Sequence, residues 1–348
     1  MRQVRICIYG GTDLKGAPTK FISELAYEIL KAIPGAIIVT GGFLHSNDKP
    51  EAKSTDVAAL EGARRYAQKY RTDLKECFEA WIPEPILDKR PEIKEAVRMT
   101  ESDGITVRVM KGRTPLGRRL AMVAGVDFVA TISGKVHTEV VIEQALELGL
   151  PVLPIPDAGG DSRRLLKEHT ARISASFEPG ALEKCLKEVS KWIRKDDKLA
   201  ARAVVSLIKG AKLGKCLVLC PYDDKHNVLY KSVVEPAVAK HMIPLRLDEL
   251  PRSDAIYSSF ADSMRSSAAV IADITVLNEN VMYEIGYAHG LGLKPLLYTR
   301  SKQRLNDLPV YFRTLYVRLE SKTTPLKTLI DQYLSSFKEA RGIRQPTE

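Results

Sequence analysis

AVIADITVLNENVMYEIGYAHGLGLKPLLY, residues 269–298, decides the fold. Ala269 to Ile274 is apolar except for Asp273 near its end, the mark of a strand buried on both faces. A polar loop follows. Apolar residues then recur at helical spacing from about Asn280 to Leu291, and Pro295 to Tyr298 reads as a second strand. Asn278 or Asn280 caps the helix, because a short amide side chain accepts from the free N–H groups of a first turn. Glu284 falls near that turn, where the positive end of the helix dipole is expected to hold it ionised. Gly286 and Gly290 share one face and are expected to let the helix lie close on a sheet.

Strand, helix and strand in this order make one crossover of a parallel sheet, and the flanking sequence repeats the unit. Downstream of residue 214, Cys216–Cys220 and Pro244–Leu247 read as strands. Helices are expected at about Asn227–His241 and Ser253–Ser267. After the quoted stretch, Leu308–Phe312 precedes a strand at Leu315–Leu319, and Thr324–Phe337 closes as a helix. The pattern predicts a flavodoxin-like parallel α/β domain over 215–348.

Upstream, Val4–Tyr9 is a strand ending in Gly10-Gly11-Thr12, followed by a helix over Pro18–Ala32. Ala36–Thr40 is a strand ending in Gly41-Gly42. Ser54-Thr55-Asp56 opens a helix to Tyr70. Strands at Glu76–Ile82 and Ile105–Met110 flank a polar excursion, Glu84–Asp103. A helix at Arg113–Ala124 and a strand at Asp127–Ile132 lead to Ser133-Gly134-Lys135-Val136-His137-Thr138-Glu139. A further helix and the strand Pro151–Pro156 complete the half. This is a Rossmann-like doubly wound sheet over 1–161. Between the halves, 162–214 is amphipathic and helical and reads as a connector.

A chain of 348 residues suits two such domains. No apolar run reaches bilayer length, and the N-terminus runs straight into a strand, so neither a membrane nor a signal peptide is expected. Cys7, Cys77, Cys185, Cys216 and Cys220 form no CxxC pair and no metal-ligand spacing. They are expected as reduced, buried thiols in a cytoplasmic protein without a metal. The net charge of +10 concentrates between Lys184 and Lys215, with ten Lys/Arg against three Asp/Glu. Leu182, Leu186, Val189 and Ile193 give that region an apolar face, so the charge reads as a solvated face and nucleic acid is not an expected partner.

Ligands of doubly wound sheets lie at the carboxyl ends of the strands. In the first half, that rule selects Gly10, Gly11, Thr12, Gly41, Gly42, Ser133, Gly134 and Thr138, where backbone can approach a phosphate. Lys15 and Lys135 stand beside these turns as candidate point charges. His137 reads equally as a ligand contact or a loop histidine. In the second half, the rule gathers Tyr222, Asp223 and Asp273, with Glu284 on the helix that follows. Asn278 and Asn280 are further candidates there. Of Tyr283 and Tyr287, one is expected in the core, and Arg313 reads as a phosphate contact or a surface ion pair.

Asp273, Asn278, Asn280, Val281, Tyr283, Glu284, Gly286, Ala288, Lys294 and Pro295 together resemble the motif of the nucleoside 2-deoxyribosyltransferase-like domains, relatives of the bacterial TIR-like NAD hydrolases. The resemblance implies that Glu284 is the catalytic carboxylate of N-glycosidic bond cleavage, as nucleophile or charge stabiliser. Asp223 or Asp273 would bind ribose hydroxyls or protonate the leaving base, and Tyr222 would stack on a base or contact the sugar. The transferases need a pocket for an accepting base that is not identifiable in the sequence, so hydrolysis is the expectation.

The first half resembles the SLOG family, which includes lysine-decarboxylase-like phosphoribohydrolases and nucleotide-sensing modules. The resemblance rests on strand-Gly-Gly-Thr, strand-Thr-Gly-Gly and the Gly134 to Thr138 turn. The family's enzymes carry Pro-Gly-Gly-x-Gly-Thr and then a catalytic Glu. Here a single glycine of the three is kept, Val136 and His137 are expected to crowd the phosphate position, and neither Glu139 nor Glu143 clearly takes the catalytic place. A module binding a small nucleotide ligand is therefore expected more than a catalyst.

Joined, the two resemblances imply a nucleotide-regulated N-glycosidase acting on NAD or a related nucleotide. It would work without a required cofactor and as a homo-oligomer, in the manner of bacterial antiviral effectors. The alternatives are a non-catalytic nucleotide sensor or scaffold, and a salvage deoxyribosyltransferase.

Overall fold

The computed structural model describes residues 4–44, 53–84, 94, 104–212, 214–247, 260–261, 263–265, 267–276, 278–308, 312 and 317–340. The chain divides into two compact bodies, Met1–Ala211 with Glu339–Glu348, and Lys212–Lys338. Both are α/β with purely parallel sheets.

The first body runs β1 (Arg5–Gly10), α1 (Ala17–Ala32), β2 (Ile37–Thr40), α2 (Thr55–Tyr70), β3 (Phe78–Pro83), β4 (Thr106–Met110), α3 (Pro115–Ala124), β5 (Phe128–Ile132), α4 (His137–Glu147) and β6 (Val152–Ile155). Helices α5 (Gly160–Glu168), α6 (Thr170–Ser174), α7 (Ala181–Trp192) and α8 (Asp197–Gly210) follow. The sheet order is β4-β3-β2-β1-β5-β6. Helices cover the sheet, so the inner strands β2 and β5 and the edge strand β6 are buried at every residue and read as mainly apolar runs. α2 lies close on α1 because Gly62 faces Ser23, where a Cβ would collide with the Ser23 carbonyl. α8, part of the segment expected as a connector, packs on α1 within the first body, with Arg202 reaching Glu28 at 3.4 Å. Glu79, buried in β3, accepts from Arg5, Trp81 and Arg108 and so ties three strands through one carboxylate.

The second body runs β7 (Lys215–Leu219), α9 (Asp224–Leu229), a π-helical turn (Tyr230–Val234), α10 (Glu235–Ala239), β8 (Ile243–Leu245), β9 (Ser267–Asp273), α11 (Glu279–Gly290), β10 (Leu296–Thr299), α12 (Lys302–Asn306), β11 (Val317–Leu319) and α13 (Thr323–Ala340). The order is β11-β10-β9-β7-β8, the flavodoxin-like arrangement. Its core joins Leu217, Leu219, Val270 and Leu297 of the sheet to Val281, Ile285 and Ala288 of α11.

Some local expectations are corrected. Gly286 and Gly290 are exposed, and a Cβ on either would meet nothing within 4 Å, so glycine does not bring α11 onto the sheet. Val281, Ile285 and Ala288, spaced four and three apart, form the buried stripe instead. Glu76 belongs to a 3-10 turn before β3. The single helix expected over Asn227–His241 is an uninterrupted helical run over 224–239 that carries the π-helical turn inside it. Arg313, most of the Glu84–Asp103 excursion, and much of Ser253–Ser267 and Leu308–Phe312 lie outside the described residues. All five cysteines are buried free thiols. Among the described residues, no helix is long and apolar enough to cross a membrane, and no cluster of three or more His, Cys, Asp or Glu could hold a metal.

Candidate functional site

In the first sheet β1 pairs with β2 on one side and with β5 on the other. Connections leave in opposite directions at that point, which opens a crevice beyond the strand ends. A cavity of about 410 Å³ occupies it. Gly10, Gly11, Thr12, Gly41, Gly42, Ser133, Gly134, Lys135 and Thr138 all line this one cavity. Lys15 is exposed and is not among the lining residues.

Backbone geometry explains the glycines. A side chain at Gly10 would collide with the Ile132 carbonyl, so β1 and β5 can end side by side only without one. Gly134 has φ +89°, and a Cβ there would collide with Thr138 Oγ1. Ser133 and Val136 also adopt positive φ, 60° and 62°. A β-branched residue in that region is strained and persists only where its surroundings over-determine it. The start of α5 holds the turn just before Val136, with Ser162 Oγ donating to Ser133 O at 2.8 Å and Asp161 N donating to Gly134 O at 2.9 Å. Val136 is 71% exposed and does not crowd the cavity as expected, whereas His137 lines it.

The charged groups of the cavity come from elements that the glycine turns do not indicate. Arg118 and Arg119 are consecutive on α3 yet only 5% and 8% exposed. Arg119 Nε donates to the Tyr9 hydroxyl at 3.0 Å, and Arg118 lies 5.8 Å from the Tyr9 ring centroid. Arg118 Nε is buried with no hydrogen-bond partner among the described residues. Asp56, in the first turn of α2, accepts the Phe43 amide at 2.6 Å. Burial pushes its carboxyl up to about 6, against the opposing pull of that amide and of the Arg118 charge. Burial, then Arg119 and Arg118, holds the His137 imidazole below its ordinary range, which favours the neutral ring. With Lys135 added, the lining carries more positive than negative side chains, since the acidic ones are Asp13 and Asp56.

No family model and no curated protein matches the chain. Among solved structures, it is similar to the X-ray structure of TM1055, a Northeast Structural Genomics Consortium target. The identity is 19%, over 48% of this chain and 81% of that one, with a TM-score of 0.33. It is also similar to DNA processing protein A from Helicobacter pylori, a protein described for its single-stranded DNA binding mode. There the identity is 19%, over 54% of this chain and 80% of that one, with a TM-score of 0.35.

The second sheet has its own reversal, where β7 pairs with β8 on one side and β9 on the other. Tyr222 and Asp223 follow β7 and Asp273 ends β9, so adjacent strands carry them to the same edge. Several of these candidates hold local structure. Asp223 caps α9, its Oδ1 accepting from His226 N at 3.0 Å and its Oδ2 meeting His226 Nδ1 at 2.7 Å. Those hydrogen bonds, the backbone one first, hold its carboxyl below the usual range. Asn278 caps α11, accepting from Asn280 N at 2.9 Å and Val281 N at 3.3 Å. Asn280 itself is exposed.

Asp273 is buried, and its Oδ1 accepts from Thr275 N at 2.8 Å. Tyr298 pairs with it in register, and burial followed by the Asp273 charge pushes the phenol well above its usual range. Tyr287 packs on the core with its ring 5.1 Å from Phe260, whereas Tyr283 is exposed.

Glu284 corrects an expectation. The helix begins at Glu279, which puts Glu284 in the second turn, beyond the short reach of the dipole. It is half-buried, and burial pushes its carboxyl up to about 7 instead of holding it ionised. The group therefore exchanges its proton around neutrality, the range in which acid–base side chains work best.

Proposed function

We propose that the first body binds the phosphate of a nucleotide, and that the second hydrolyses the N-glycosidic bond of NAD or a related nucleotide under its control. The observation that carries the reading is the pair of buried arginines in the glycine-lined cavity. A buried cation without a counter-charge is costly, and Asp56, whose carboxyl burial shifts up to about 6, does not balance the buried pair Arg118 and Arg119. Phosphate suits the vacant donor of Arg118, because a guanidinium presents planar, paired N–H groups. The turns that line the cavity are those of the SLOG resemblance.

For the second body the support is Glu284 on α11, the helix that follows the strand Asp273 ends, with a carboxyl that burial shifts up to about 7. Cleaving an N-glycosidic bond builds positive charge at the anomeric carbon. A carboxylate answers that charge directly or by forming a glycosyl ester, which water then opens. The two resemblances taken together extend the proposal to a bacterial antiviral effector that assembles when its nucleotide binds. One reading competes on a specific observation. Asp223 and Asn278 are both engaged in helix caps, which favours a non-catalytic nucleotide sensor.

Incubation of wild type and Glu284→Gln with NAD and with nucleosides, with and without added nucleotides, separates the two. Base release by wild type that falls about 100-fold or more in the variant is expected. Nucleotide binding without turnover in wild type would instead establish the sensor.

A further inference from the structure

Arg246 directly follows β8 and is 2% exposed. Its guanidinium carbon lies 5.1 Å from the Tyr222 ring centroid and 4.8 Å from that of Tyr230. Its Nη2 donates to Asn227 Oδ1 at 2.5 Å. Three segments converge on this one side chain. The loop after β7 supplies Tyr222, α9 supplies Asn227, and the π-helical turn supplies Tyr230. A π turn adds one residue to a helical turn and re-aims the side chains beyond it, and such turns are common at functional sites. Tyr222 belongs to the proposed glycosidase site, whereas that reading leaves Arg246, Asn227 and Tyr230 without a role.

Of the two rings on the guanidinium, Tyr230 is buried, and Tyr222 is 50% exposed. Tyr222 thus presents aromatic surface at the carboxyl edge of β7, where the sheet reverses. Arg246 fixes the orientation of that ring and also changes its electronics. The electron-rich ring attracts the guanidinium, and a ring already serving one cation attracts a second cation poorly, because the two repel. A neutral aromatic ring meets no such penalty and stacks well.

We propose that Tyr222, backed by Arg246, is the platform for the neutral base of a nucleotide and disfavours a cationic pyridinium ring, with Arg246 as the positioning residue. In an NAD-type dinucleotide this places the adenine end on Tyr222. The proposal rests on the nucleotide reading of the second body.

Calorimetric titration of the full chain with AMP, nicotinamide mononucleotide and ribose 5-phosphate tests it. The three share the sugar phosphate and differ in the ring. Both tryptophans, Trp81 and Trp192, lie in the first body, so their fluorescence follows occupancy there separately. Tyr222→Leu should weaken the AMP binding that tryptophan does not report by about tenfold or more, while the other two ligands change by less than about twofold. Tyr222→Phe should retain AMP. Arg246→Lys, which keeps charge but not the flat stack, should raise KM for NAD more than it lowers kcat. If Arg246→Lys does not fold, the two Tyr222 variants decide, since that side chain is at the surface.

Unchanged AMP affinity in Tyr222→Leu, or an equal loss for nicotinamide mononucleotide, overturns the proposal. Should that occur while Glu284→Gln still abolishes base release, the glycosidase reading stands and the platform alone fails. If wild type neither releases base from NAD nor binds AMP beyond the tryptophan-reported event, both fall.

Discussion

Asp56 accepts the backbone N–H of Phe43 at 2.6 Å, so the first turn of α2 is fastened to the end of the Gly41-Gly42 turn. The carboxyl does this from a buried position against Arg118, and its affinity for a proton rises to about 6. A folded-state value above the unfolded one, about 3.9, means that the native state holds the proton more tightly. The stability this contributes is complete below about pH 4 and is lost as pH rises to about 6, by roughly 3 kcal/mol at most. Urea denaturation followed by tryptophan fluorescence, which reports only the first body, should show that fall between acidic and neutral pH. Asp56→Asn, permanently neutral, should flatten it.

Arg119 links α3 to β1 through the Tyr9 hydroxyl, and Arg118 brings the unsatisfied donor. Arg118→Gln should weaken phosphate-bearing nucleotides at the first body by about tenfold or more, because charge-assisted bonds are worth about 1.5–3 kcal/mol. Arg119→Gln should weaken them less. Tryptophan-detected titration with a nucleotide and with its parent nucleoside checks this, since the nucleoside should lose little in either variant.

The parallel sheets were legible because doubly covered strands are apolar, and the turn glycines marked the strand ends that line the first body's cavity. Arg118 and Arg119 were not legible. Consecutive arginines on a helix read as solvated, and only the distant partners Tyr9 and Asp56 make them interior groups. For Glu284 the expected protonation was misjudged. The dipole fades within one turn, whereas tertiary burial acts wherever the side chain is covered. Asp223 shows the opposite limit, because an aspartate after a strand reads alike as a cap and as a ligand group. The structure shows the capping bond.

Asn278 is the cap on which the Glu284 helix depends. Asn278→Ala should cost about 1 kcal/mol and lower the melting temperature of the second body by about 3 °C in scanning calorimetry. Asn278→Asp should restore it, since a carboxylate accepts the same amides and suits the positive helix end.

The proton affinity of Glu284 gives the proposed glycosidase a direction in pH. A nucleophile or charge stabiliser must be ionised, and burial sets that ionisation at about 7. Base release from NAD should therefore rise as pH increases through about 7 and level off above it. The carboxyl is protonated below that value and cannot answer the charge at the anomeric carbon. A rate that instead falls through the same range would make Glu284 the acid that protonates the leaving base, and the search for the opposing carboxylate would move to Asp273. Measuring kcat/KM for NAD between about pH 5.5 and 8.5 distinguishes the two, because kcat/KM reports the groups of the free protein.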